Sequence, residues 1–139
     1  MNMRKIFIAI LCIVSADCFS QSLNNLNKID TDAQYCADTT QDVVACENLH
    51  YNQMDNMLNL VFKKLKNISK AGDFKKIKND QIKWLSIRDK RFKKIESEND
   101  CNAALDICQA LLISKKTWVV HQRVEVLIKK IPYTSLSKK

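Results

Sequence analysis

Met54-Asp55-Asn56-Met57-Leu58-Asn59-Leu60-Val61-Phe62-Lys63-Lys64-Leu65-Lys66-Asn67-Ile68 sets the period of the chain. Its apolar positions Met54, Met57, Leu58, Val61, Phe62, Leu65 and Ile68 follow steps of three and one. That spacing predicts one core-facing stripe of an α-helix. Asp55, Asn56, Asn59, Lys63 and Lys66 form the polar side, and the lysines gather toward the end where the helix dipole favours cations. Thr39 followed by Asp42 resembles a capping box, which places the start near Thr40. Gly72, the only glycine, stands where a left-handed terminating residue is expected, with Asp73 as the next N-cap.

Outward from this stripe, a second helix is expected from about Phe74 to Ile95. Phe74, Ile77, Gln81, Trp84, Leu85, Arg88, Phe92 and Ile95 share one of its faces. Gln81 and Arg88 are polar groups on an otherwise apolar face, and such groups are costly unless hydrogen-bonded. They are read as a clamp in which Arg88 meets Asp55 or Asn59 across a helical hairpin while Trp84 packs beside it, with Asp89 exposed. A third helix carries Leu105, Cys108, Leu111, Leu112, Trp118, Val119, Val126 and Leu127, with Asp100 or Asn102 as its cap and Pro132 as its stop. The expected fold is therefore all-α: an antiparallel hairpin plus a third helix, a small three-helix bundle over 39–131. The composition agrees, because one Gly and one Pro in 139 residues are too few turn formers for a sandwich or barrel.

Met1 to Ser20 reads as a secretory signal, with Arg4 and Lys5 ahead of an apolar run from Ile6 to Val14 that is too short to span a bilayer. Cleavage fits after Ala16 or after Ser20. The later cut leaves Cys36, Cys46, Cys101 and Cys108, an even set that forms two disulfides most simply in a secreted or periplasmic setting. Residues 21–38 scatter Leu23, Leu26 and Ile29 among polar residues and read as a flexible leader. Residues 132–139 read as a basic tail.

Alternating helix directions gather the four cysteines at one end of the bundle. Cys101 and Cys108 cannot bridge along one continuous helix, where seven residues rise about 10 Å and a disulfide needs Cα atoms within roughly 7 Å. Unless that helix starts after Cys101, one of Cys36 and Cys46 should pair with one of Cys101 and Cys108. Each bridge would then close a loop of tens of residues and contribute about 3 to 4 kcal/mol. Local pairing, Cys36 with Cys46 and Cys101 with Cys108, is the alternative if both segments are partly unwound.

The formal charge is +8, and removal of Arg4, Lys5 and Asp17 lowers it by one. Thirteen Lys or Arg lie between Lys63 and Lys94, whereas Asp30, Asp32, Asp38, Asp42, Glu47 and Asp55 dominate the stretch before. A solvated lysine-rich face is the plain reading; a surface for anionic cell-envelope polymer or membrane is the functional one, with nucleic acid not expected as partner. His50 and His121, the only histidines, are far apart in sequence and read as surface or groove residues rather than metal ligands. No serine sits in a nucleophile elbow, no glycine loop cradles phosphate, and no free mature cysteine is left as nucleophile. The chain is expected to be no enzyme and to use no metal or cofactor.

The motifs resemble the lysozyme-inhibitor LprI N-terminal domain family of secreted bacterial proteins. The resemblance lies in Cys36 and Cys46, in Asp55-x-x-Leu58-Asn59-x-x-Phe62-x-x-Leu65, in Gln81-x-x-Trp84-x-x-x-Arg88-Asp89, in a late cysteine, and in Thr117 with Arg123-x-x-x-Leu127. It covers roughly Tyr35 to Leu127. Phe92 stands where the family usually has a cysteine, and the Gly-rich connection before the last helix is absent. The resemblance implies an all-helical, non-enzymatic secreted protein whose partner is lysozyme or another envelope or host protein. Many lysozymes are strongly basic, so a basic inhibitor would have to meet one with its acidic end.

Overall fold

The computed structural model describes residues 22–98, 101 and 106–131. The expected signal segment, the caps Asp100 and Asn102, and the Pro132 stop lie outside these residues. The described residues contain four helices: α1 over 22–39, α2 Val43–Ile68, α3 Ala71–Glu98 and α4 Asp106–Ile128.

The central stripe folds as its period demands. Met54, Met57, Leu58, Val61 and Leu65 are buried on α2, Phe62 packs against them, and Ile68, the final residue of the helix, is exposed. Asp42 rather than Thr40 starts the helix, its side chain accepting from the Ala45 amide at 2.9 Å. Gly72 does not end it. Ser69 is the C-cap, in extended backbone, with its N–H donating to Leu65 O, and Gly72 is already inside α3. An extended cap residue breaks the helix without any left-handed position, so the chain needs no glycine there.

The face expected on α3 is the one turned inward. Phe74, Ile77, Trp84, Leu85, Arg88, Phe92 and Ile95 are half-buried, Gln81 is buried, and the other residues of α3 are exposed. Phe62 meets Phe74 at 5.4 Å and Tyr51 meets Phe92 at 6.3 Å between ring centroids, which sets α3 antiparallel to α2. Among α2, α3 and α4, the most extensive backbone approach is nevertheless between α2 and α4. Val120, Val124, Leu127, Ile128 and Ile131 close the core from the α4 side. Leu111, Trp118 and Val126, assigned to that core face from sequence, are exposed. α4 is apolar around most of its girth, so its period does not single out the inward side.

The stretch read as a flexible leader is α1. Leu26 is 2% exposed within the core, with Leu23 and Ile29 packed against it. Lys28 pairs with Asp32 at 2.6 Å and Gln34 donates to Asp38 at 2.9 Å, both at the i,i+4 spacing that supports a helix surface. These local terms are small; docking of Leu26 supplies what the segment lacks alone. Lys64 donates to Ser22 and Cys36 is bonded to Cys46, so α1 runs antiparallel to α2.

The disulfides are Cys36–Cys46 and Cys101–Cys108, with Cα separations of 5.7 and 5.6 Å. Pairing between the two segments, and with it the loops of tens of residues, is thereby corrected. The geometric bar on Cys101–Cys108 applies only inside a helix, and α4 starts at Asp106. The first pair closes because α1 ends at Thr39 and the chain reverses before Asp42. No helix among the described residues is long and apolar enough to cross a membrane.

Unreduced peptide mapping should recover Cys36 linked to Cys46 and Cys101 linked to Cys108. Leu26→Ala should lower stability by about 2–5 kcal/mol in chemical denaturation, as for other core leucines; a leader without packing would show no change.

Candidate functional site

Gln81 finds its partner on α4, not α2. Arg123, 6% exposed, donates from Nε to Gln81 Oε1 at 2.7 Å and from Nη2 to Asp80 at 2.9 Å. Its guanidinium lies 5.5 Å from the Trp84 ring centroid. A buried guanidinium needs such partners, and the planar fork engages an amide and a carboxylate together. Arg88 is the more exposed of the two. It donates to its neighbour Asp89 at 2.9 and 2.8 Å and lies over Trp84 and Phe92. The expected reach from Arg88 to Asp55 or Asn59 is replaced by this local pair, while Asn59 donates to Asp55 at 3.4 Å. Asp89, one residue along, is near enough for Arg88 to engage without crossing to another helix. Burial pushes the Tyr51 phenol above its usual range; Asp55 and Asp89 push the same way and Arg88 opposes them.

The second polar cluster joins residues far apart in sequence. Asp30 of α1 accepts from His50 Nε2 of α2 at 3.1 Å and from His121 Nε2 of α4 at 3.0 Å. An ionised carboxylate only accepts, so each imidazole presents an N–H at Nε2 to Asp30. His50 Nδ1 then faces Glu47 Oε2 at 4.0 Å. Glu47 Oε2 and His121 Nδ1 are buried with no hydrogen-bond partner among the described residues. Trp118 stacks on His121 at 5.2 Å and 17°, yet remains 58% exposed.

These side chains line a cleft of about 320 Å³, with Gln34 from α1 and Ser114 and Thr117 from α4 completing its polar wall. No Lys or Arg among the described residues lines it, although the chain carries a charge of +8. Both imidazoles engage Asp30, and no group of three or more His, Cys, Asp or Glu among the described residues is placed to hold a metal ion. Sequence reading left Asp30, Glu47 and Trp118 unassigned as site residues. Two signals were there: Glu47 with His50 and Trp118 with His121 each stand three apart, on one face of their helix. Nothing in the sequence points from those pairs to Asp30.

The family model of lysozyme inhibitor LprI matches residues 31–121, most of the chain and most of the three helices that build the cleft. The chain belongs to the LprI lysozyme inhibitor family. No curated protein and no solved structure matches it. Within this LprI domain the Gln-Trp-Arg segment supplies the α3 side of the buried Arg123 contact. The two disulfides fit an oxidising compartment.

Arg123→Ala should lower stability by about 1.5–3 kcal/mol, because it leaves buried Gln81 unpaired. Arg88→Ala, which removes a pair with an exposed carboxylate, should stay within about 1 kcal/mol. Urea midpoints would rank the two, and the reverse order would contradict this assignment. The raised Tyr51 phenol gives a pH dependence. Stability present below the ordinary phenol pKa should fall as pH rises toward the folded value, because the unfolded chain releases the proton first. Tyr51→Phe should remove the latest-titrating part of the phenolate absorbance.

Proposed function

We propose that this protein is exported, loses Met1–Ser20, and inhibits lysozyme by binding it as a folded protein, without chemistry of its own. The observation that carries the reading is the LprI family match over 31–121. The position of the cleft supports it. A basic lysozyme repels most of this chain, whereas Asp30, Glu47 and the neighbouring Asp32, Asp38 and Asp42 gather on α1 and the start of α2. Complementary charge at that end would steer encounter and orient the partner.

A second reading is favoured by a different surface. Lys75, Lys76, Lys78, Lys83, Lys90, Arg91, Lys93 and Lys94 are all exposed on α3, a solvent-facing array suited to an anionic envelope polymer or membrane surface. Binding through such an array collapses as salt rises, while a packed protein interface holds better.

The test is lysozyme activity on a cell-wall substrate, measured with oxidised mature protein at low and physiological ionic strength. Inhibition at micromolar protein that survives the higher salt is expected. Unchanged lysozyme activity, together with salt-sensitive binding to anionic polymer, would favour the α3 reading instead.

A further inference from the structure

Several donors of the α1–α2–α4 cleft are already spent on the protein itself, while its two carboxylates keep acceptor capacity. The Nε2 hydrogens of His50 and His121 are held by Asp30. The Thr117 hydroxyl donates to Ile113 O at 2.9 Å, and the Gln34 amide nitrogen donates to Asp38 at 2.9 Å. These donors are therefore engaged with the protein, while acceptors are left over. Glu47 Oε2 has no hydrogen-bond partner among the described residues, and each Asp30 oxygen keeps a second lone pair. A site with spare acceptor capacity on two carboxylates and no Lys or Arg in its described lining suits a cationic donor.

The remaining wall narrows the class of cation. Trp118 offers an exposed indole beside the carboxylates, its stacking partner His121 holding the ring from one side. A planar guanidinium stacks on such a ring and presents several N–H donors at its edge, whereas an ammonium is a compact, strongly hydrated point charge. We propose that this cleft receives the guanidinium of an arginine side chain presented by the protein partner, with Asp30 and Glu47 accepting its N–H groups and Trp118 stacking on its plane. The inference rests on the reading of the chain as a protein-binding inhibitor, but the chemistry of the cleft can be probed without any lysozyme.

The full oxidised mature chain would be titrated with acetyl-arginine-amide, with chemical shifts of the Trp118 indole as readout. Acetyl-lysine-amide and the neutral acetyl-citrulline-amide would be run as companions. Saturable shifts at Trp118 with arginine, weaker ones with lysine and none with citrulline are expected. Glu47→Gln should weaken the arginine response about tenfold, the size expected for a lost charge-assisted bond. Trp118→Ala, at an exposed position, should also weaken it while leaving the thermal unfolding curve in place; its probe is the His121 ring. Asp30 is a poor test because it joins three helices.

No shift at Trp118 in the wild-type chain, an equal response to citrulline, or a Glu47→Gln protein that titrates like wild type would each overturn the proposal. Lysozyme inhibition that persists beside a silent arginine titration sinks the cleft assignment alone. A specific arginine response without lysozyme inhibition leaves the cleft standing and sinks lysozyme as the partner.

Discussion

One carboxylate joins three of the four helices. Asp30 engages His50 and His121 through separate oxygens, which fixes α1 against both α2 and α4 at one level of the bundle. The bond geometry matters more than its strength, since Asp30 is partly exposed and bonds of that kind contribute modestly. Without the bridge, α1 would be held by the packing of Leu23, Leu26 and Ile29 toward one end and by the Cys36 disulfide at the other, with no side-chain hydrogen bond among the described residues to fix its level against α4. The cleft exists because that middle section is held.

The buried Arg123 contact does similar work on the other side of α4. α3 contributes few fully buried residues, and its only buried side chain is Gln81. Its attachment relies on half-buried rings and on the guanidinium that joins Gln81, Asp80 and Trp84. α3 is therefore the most polar of the packed helices and presents its lysines outward, while α2 and α4 hold the apolar seam. This separates two candidate surfaces. The acidic cleft lies on the α1 side, and the lysine array lies on α3.

Much of this was legible in the sequence where a period was strong. The α2 stripe and the inward face of α3 follow from residue spacing, and the inward polar pair Gln81 and Arg88 marked the family segment. Arg123 was visible only as a weak motif residue, because its partners lie more than forty positions earlier. α1 was hidden because three apolar residues among polar ones carry little local preference, and only docking makes them a helix. The disulfide pairing turned on where α4 begins, a boundary that periodicity places poorly. The cleft was least legible of all. Its histidines are 71 positions apart and meet only through a carboxylate on a helix whose existence the residue pattern does not announce.

The distribution of fastening along the bundle has a mechanical consequence. The apolar cluster from Leu26 through Leu65 and Val120 through Ile131 lies toward one end, and both disulfides lie toward the other. The cleft sits between them, with Glu47 next to Cys46 in sequence and Ser114 six residues after Cys108. Its α1 and α2 walls are tied by the Cys36–Cys46 bond on one flank, and all three helices pack closely on the other, so the α1–α2 edge of its mouth has little freedom to widen. A guest entering such a mouth loses its own mobility but need not order the host, and the mouth discriminates by shape as well as by charge.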